Sequence, residues 1–189
     1  MHPHPDEKAL IHQARQGSER ALGELYQHYV GAVYRYMAYR TPDHMVAEDL
    51  TAEVFANMII SIQNYEDLGL PFGAWLFRIA RARLADYWRK TKRRDQYQIP
   101  FLEEMEEVFG VAPSSDPFRY EALFDSLHYL TDAEREVLFL RFAGGLSNKE
   151  IAQVIHSNAN AVKARTFRAL KKLKKILQER AAFEKDERA

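Results

Sequence analysis

Two closely spaced capping boxes constrain the fold of this chain more than any other feature. In Thr131-x-x-Glu134 and Ser147-x-x-Glu150, a hydroxyl can accept from the backbone N–H three residues on while the glutamate reaches back, so each marks a helix start. Gly144-Gly145 breaks the chain between them, and a second break at His156-Ser157-Asn158 falls about two turns after the second start. The segment that follows is long, uninterrupted and basic. Short helix, tight turn, longer helix is the plan of a helix-turn-helix, spanning residues 120–180.

The last helix carries the chemistry. Val162, Ala169, Leu173 and Ile176 recur at helical spacing and face a core, while Lys163, Ala164, Phe167, Arg168 and Lys171 fall on other faces. Between Ala159 and Arg180 eight Lys or Arg stand against one acid, Glu179. Such a helix suits the major groove, with its N-terminal half over base edges and its later lysines near phosphates. An exposed Phe167 is unfavourable in water but can lie against a thymine methyl. A solvated amphipathic helix with a lysine-rich tail would explain the charge alone, but not its place after two capped helices.

The chain of 189 residues is 47% apolar and 12% aromatic, enough for one large or two small compact cores. It contains no cysteine, which excludes disulfides and Cys-based zinc or redox sites and is compatible with a reducing compartment. The longest strongly apolar stretch, Val54 to Ile62, is about half a bilayer span and is interrupted by Asn57. No basic-then-apolar signal pattern opens the chain. A cytoplasmic protein without membrane insertion is expected.

Lys and Arg balance Asp and Glu at 27 each, so the net charge is zero. The charges are nevertheless segregated. Arg78 to Arg94 carries eight basic groups against Asp86, whereas Asp43 to Asp67 carries six acids and no Lys or Arg, and Phe101 to Glu121 carries six acids against Arg119. Such a chain meets DNA with some faces and something basic with others.

Apolar periodicity predicts an all-α fold, with helices near residues 7–16, 18–40, 42–65, 71–92, 120–129, 132–142, 148–155 and 159–179. Thr41-Pro42 supplies an N-cap followed by proline at the first helical position. Nothing alternates with period two over a useful length. Residues 95–119 hold Pro100, Pro113, Pro117, Gly110 and a glutamate cluster, the composition of a flexible acidic linker. Two small helical domains result, 7–94 and 120–180.

In the first domain Phe72, Leu76, Ile79 and Ala80 form a core stripe. Arg78, Arg81, Arg89 and Lys90 are left toward solvent, with Tyr87 and Trp88 among them. Cations interleaved with aromatics suit unpaired DNA, since rings stack on bases while cations track phosphate. Trp75 reads as core; Trp88, beside Arg89, suits a core position and a stacking position equally. The loop Glu66-Asp67-Leu68-Gly69-Leu70 leads into this helix and could pocket a flipped base.

Three segments resemble, in order and spacing, the small two-domain extracytoplasmic-function (ECF) sigma factors of bacterial RNA polymerase. They are AEDLTAEVF at Ala47–Phe55, PFGAWLFRIARARLADYWRK at Pro71–Lys90, and the C-terminal LSNKEIAQVIHSNANAVKARTFRALKKL. The resemblance implies that Glu48, Asp49, Glu53 and Phe55 dock on core polymerase, against a basic clamp helix of the β′ subunit, with the β subunit as a further contact. It implies that Tyr65, Arg78, Arg81, Tyr87, Trp88, Arg89 and Lys90 read and open the −10 promoter element. At the −35 element it implies Ser147, Lys149, Asn160, Lys163, Arg165, Phe167, Arg168 and Lys171. The linker would thread toward the RNA exit path, and an anti-sigma factor is a candidate further partner. Ala52, Ala82, Ala161 and Ala164 stand where family members often carry Gln, Asn, Thr and Ser, so promoter sequence does not transfer from relatives.

An autonomous helix-turn-helix regulator binding an operator as a dimer would explain the C-terminal module, but it leaves the acidic helix and the aromatic-basic helix without a task. An enzyme is not expected. The seven histidines form no metal-binding pair, no glycine loop cradles phosphate and no nucleophile motif appears, so neither metal nor cofactor is implied.

Overall fold

The computed structural model describes residues 6–41, 43–67, 71–91, 126–142 and 144–187. Seven α-helices fall in these segments: α1 (Glu7–Arg15), α2 (Glu19–Ala38), α3 (His44–Ser61), α4 (Phe72–Thr91), α5 (Asp132–Phe142), α6 (Asn148–Val154) and α7 (Ala159–Glu187), with a 3-10 turn at Ile62–Asn64. No strand occurs among the described residues, as the period-two search anticipates. The linker 95–119 and residues 120–125 of the helix expected over 120–129 lie outside them.

Local chemistry sets the helix ends. Ser18 caps α2, its hydroxyl accepting from the Ala21 N–H at 3.3 Å. Helix α3 starts two residues later than expected, because its cap is Asp43, which accepts from the Val46 N–H at 2.8 Å, and not Thr41. Thr41 is buried and its hydroxyl donates back to the Met37 carbonyl at 2.9 Å, so it closes the end of α2. Pro42 lies outside the described residues. Helix α7 runs on to Glu187, past the expected 179.

The first four helices share one core. Leu25, Tyr29, Val33, Tyr36 and Met37 of α2 meet Val54 and Met58 of α3 and Phe72, Leu76, Phe77 and Ala80 of α4, all at most 2% exposed. A buried carboxylate joins three elements of this bundle. Glu7, at the head of α1, accepts from the Tyr29 hydroxyl of α2, and its other oxygen accepts from the Phe72 N–H at 3.3 Å. An acid at the N-terminus of α4 satisfies an orphan donor and complements the helix dipole. Burial, with the hydrogen bond to Glu7 second, raises the Tyr29 phenol far above its ordinary range. Gly73 keeps the joint compact, since a Cβ there would sit 3.0 Å from the Tyr29 ring.

The C-terminal helices form a tri-helical module around Val137, Leu140, Ile151, Val154, Val162 and Ala169. It packs back on the first bundle. Tyr39 stacks on Phe139 with ring centroids 3.6 Å apart, and α6 lies against α4.

Glu7→Ala would orphan the Tyr29 hydroxyl and the first amide of α4, and is expected to cost about 1–3 kcal/mol in urea denaturation. Glu7→Gln, which keeps an acceptor, should lose less. Equal losses for the two would show that the carboxylate charge, and not hydrogen-bond satisfaction, carries the joint.

Candidate nucleic-acid and protein interface

Both capping boxes form. The Glu134 N–H donates to the Thr131 hydroxyl at 3.3 Å and the Thr131 N–H returns to Glu134 at 2.9 Å, so α5 begins at Asp132. Around Ser147 and Glu150 the corresponding distances are 3.3 and 2.8 Å. Ser147 therefore spends its hydroxyl on holding α6. Between them Gly145 takes a φ of +66°, and a Cβ on Gly144 would fall 2.8 Å from the Leu140 carbonyl oxygen. The turn needs both glycines. His156 does without one: at φ +52° it occupies the left-handed position after α6, and the Ser157 N–H closes on the Ala152 carbonyl at 2.8 Å. Asn158 then caps α7, accepting from the Ala161 N–H at 2.8 Å.

This geometry aims one face of α7 outward. Val162, Ala169 and Leu173 are buried, while Lys163, Phe167, Arg168 and Lys171 are exposed, with Lys149 and Asn160 also exposed nearby and Arg165 half-buried. Phe167 is 67% exposed and Leu170 43%. An apolar ring and an aliphatic chain thus sit in water among cations, which is costly unless a partner covers them.

On α3, Glu48, Asp49 and Glu53 are exposed and make no ion pair among the described residues. Phe55 is not beside them. It is buried at 4% exposure with its ring 4.7 Å from Tyr26, so it supports the helix from beneath and cannot touch a partner in this conformation. The surface apolar residues are instead Met45, Ile59 and Ile60, at 76%, 51% and 77% exposure. Sequence reading missed them because α3 carries apolar residues on several faces, which hides the outward ones from a periodicity test.

Helix α4 separates the expected −10 residues into three groups. Arg78, Arg89 and Lys90 are exposed. Asp86 pairs with Arg83 at 2.7 Å and Arg89 at 2.8 Å. Arg81 reaches across to Glu136 of α5 at 3.1 Å. Tyr87 and Trp88 are half-buried and meet edge to face at 4.9 Å. Tyr65 is buried at 5%, packed on Phe72 and Trp75, and so positions the start of α4 without lining a surface. Trp75, expected in the core, is half-buried and packs against it, its ring 5.1 Å from both Tyr65 and Phe72. Of the loop before α4, residues 68–70 lie outside the described residues.

Among the described residues no cluster of His, Asp or Glu could hold a metal, and no helix is long and apolar enough to cross a membrane.

Comparison with known proteins matches residues 25–94 to the family model Sigma-70 region 2 and residues 120–173 to Sigma-70, region 4. The chain is 34% identical over 174 residues to the ECF RNA polymerase sigma factor BldN of Streptomyces coelicolor, covering 91% of this chain and 66% of BldN. It is 30% identical over 155 residues to the ECF RNA polymerase sigma factor SigM of Bacillus subtilis, covering 82% of this chain and 94% of SigM. Its fold is similar to that of CnrH solved in complex with the cytosolic domain of CnrY, with a TM-score of 0.67 and 25% identity over 90% of this chain and 96% of that one.

Glu134 makes the module sensitive to acid. The Thr131 backbone N–H holds its carboxyl below the ordinary range, aided by the Thr131 hydroxyl, by Lys172 at 3.9 Å and by Arg168, against the opposing effect of burial. A carboxylate depressed on folding stabilises above its unfolded pKa and loses that contribution as pH falls through the folded value. Glu134→Gln should therefore lower the melting temperature at pH 7, and the gap from the unsubstituted protein should close below about pH 4. A gap that stays constant down to pH 3 would assign Glu134 to packing alone.

Proposed function

The chain belongs to the extracytoplasmic-function RNA polymerase sigma factors, and on that premise we propose that it docks on core polymerase through α3, opens the −10 element with α4 and reads the −35 element with α7. The observation that carries this division is the outward face of α7, where Phe167 stands 67% exposed among Lys163, Arg168 and Lys171. That mixture of apolar and cationic groups fits a major groove, with thymine methyls for the ring and guanine edges or phosphates for the cations. Asn160 and Lys149 extend the contact toward bases and backbone, and Arg165 braces it.

The exposed acids Glu48, Asp49 and Glu53 complement a basic clamp helix of β′, and the exposed Met45 and Ile60 add apolar area that charge alone does not supply. The β subunit is the expected contact for the C-terminal module. On α4, Arg78, Arg89 and Lys90 track phosphate while Trp88 and Tyr87 offer rings to unpaired bases. The linker 95–119 joins the two readers, so that each modest affinity is multiplied by effective concentration. The chain works as an initiation factor in the cytoplasm and leaves bond-making to the polymerase. As CnrH is solved with the cytosolic domain of CnrY, a protein partner of anti-sigma type is proposed for this chain too.

Substitutions on the two faces should fail differently. Asp49→Lys sets like charge against the β′ helix and should cost several kcal/mol in core binding while the fold survives. Arg168→Ala should leave core binding intact and cost about 1–3 kcal/mol at particular −35 base pairs, read by footprinting. Loss of core binding through Arg168→Ala, or full promoter-specific transcription with Asp49→Lys, would show the faces to be wrongly assigned.

Strand capture has its own test. Trp88→Ala should slow open-complex formation on duplex promoters, and a template already mismatched across the −10 element should restore much of the rate, because unpairing no longer has to be driven. Equal loss on both templates with a lowered melting temperature would make Trp88 a packing residue.

A further inference from the structure

Helix α4 is capped from the beginning of the chain. Pro71, just before it, carries no side-chain oxygen that could meet its first amides. The Phe72 N–H is met instead by Glu7, 65 residues away in sequence, whose other carboxylate oxygen accepts from the Tyr29 hydroxyl. The rings of Tyr29, Tyr65, Phe72 and Trp75 gather at this point. Phe72 lies 5.6 Å from Tyr29 and 5.4 Å from Tyr65, and Trp75 lies 5.1 Å from both Tyr65 and Phe72. Tyr65 follows the 3-10 turn and Phe72 begins α4, so one cluster holds the chain on both sides of residues 66–71. Lys8, the next residue of α1, reaches Asp67 at 3.7 Å. Helix α1 thus touches both flanks, although it precedes the residues matched to Sigma-70 region 2.

We propose that Glu7 is a positioning residue for promoter opening. From α1 it fixes the first turn of α4, and through that turn the direction in which the helix presents its cations and rings. This role rests on the reading that α4 captures the unpaired −10 strand; the joint itself rests on the contacts alone. Glu7 is buried at 9% exposure, so its influence on DNA has to pass through α4. Apolar burial of Phe72, Leu76 and Phe77 holds the helix in place but has no preferred direction, whereas a hydrogen bond weakens steeply away from its best angle. The carboxylate therefore supplies the directional restraint. A helix rises 1.5 Å per residue, which sets Arg78 about 9 Å and Trp88 about 24 Å beyond Phe72. A tilt of roughly 5° at the first turn would carry Trp88 about 2 Å, enough to spoil a stacking contact. Without the acceptor, the Phe72 N–H would also be an unmet buried donor, and the first turn would have to open toward water to satisfy it.

The test uses holoenzyme reconstituted from core polymerase and the full chain, on a duplex promoter that the unsubstituted protein selects from a randomised library. A 2-aminopurine in the −10 element reports unpairing. Glu7→Ala should slow opening about tenfold while core affinity and the −35 footprint stay unchanged. Glu7→Gln, which keeps an acceptor, should recover most of the rate. Glu7→Asp is too short to reach both Tyr29 and Phe72; it is the milder variant should Glu7→Ala not fold, with a loss of about threefold expected. Met37→Ala controls for stability alone, since Met37 is fully buried about two turns beyond Tyr29 on α2. It should lower the melting temperature at least as far as Glu7→Ala, yet reduce only the amplitude of opening, through the active fraction, and leave the rate unchanged. Equal slowing by Met37→Ala and Glu7→Ala overturns the positioning role, as does opening at the unsubstituted rate by the Glu7 variants. Arg78→Ala and Trp88→Ala separate this role from the reading beneath it. If both leave opening unchanged, α4 is not the capturing element and the role of Glu7 falls with it. If they slow opening and Glu7→Ala does not, α4 keeps its assignment and only the role of Glu7 falls.

Discussion

The packing of α4 on two sides is the constraint from which the rest of the structure follows. Phe72, Leu76, Phe77, Ala80 and Leu84 are all at most 3% exposed, and the helix touches α2 and α3 on one side and α6 on the other. A helix so enclosed keeps only a narrow strip for polar groups, and eight basic residues compete for that strip and the segment just beyond it. Asp86 relieves part of the repulsion by holding Arg83 and Arg89, and Glu136 relieves more by taking Arg81. The start of the same helix is fixed by Glu7, so a side chain near the beginning of the chain sets the placement of cations far along it. Core packing and the placement of cations are thus imposed on one element.

Local features were legible in the sequence, and contacts between distant residues were not. Capping boxes at Thr131 and Ser147 depend on four consecutive residues, so pattern and structure agree on the starts of α5 and α6. The Thr41 hydroxyl could have accepted from the free amides that open α3, but it donates to the Met37 carbonyl and closes α2 instead, a choice that depends on its burial and so on tertiary packing. Phe55 and Tyr65 carry the right residue types at the right spacing for surface contact, yet both lie in the core, because a motif fixes position along the chain and not which face is turned outward. His156 adopted a conformation in which glycine is the ordinary expectation. The pairs Glu7 with Tyr29, Tyr39 with Phe139 and Arg81 with Glu136 leave no periodic trace at all; only the completed fold brings them together.

Zero net charge is a consequence of this arrangement more than an argument against nucleic acid. Acids on α3 and cations on α4 and α7 lie on separate surfaces, so the field near each is set by its own neighbours within a Debye length of about 8 Å. Each surface can then recruit a partner of opposite sign without the whole molecule carrying a bias toward either. Balanced charge also limits nonspecific association with DNA, whose strength grows with every phosphate neutralised.

The seam between the modules is weak enough to be reversible and strong enough to matter. An ion pair with one partner 41% exposed contributes about 0–1 kcal/mol, and a stacked aromatic pair about 0.5–1.5 kcal/mol beyond its area. Together with a small apolar contact at Phe77 these hold the C-terminal module against the first bundle by a few kcal/mol at most.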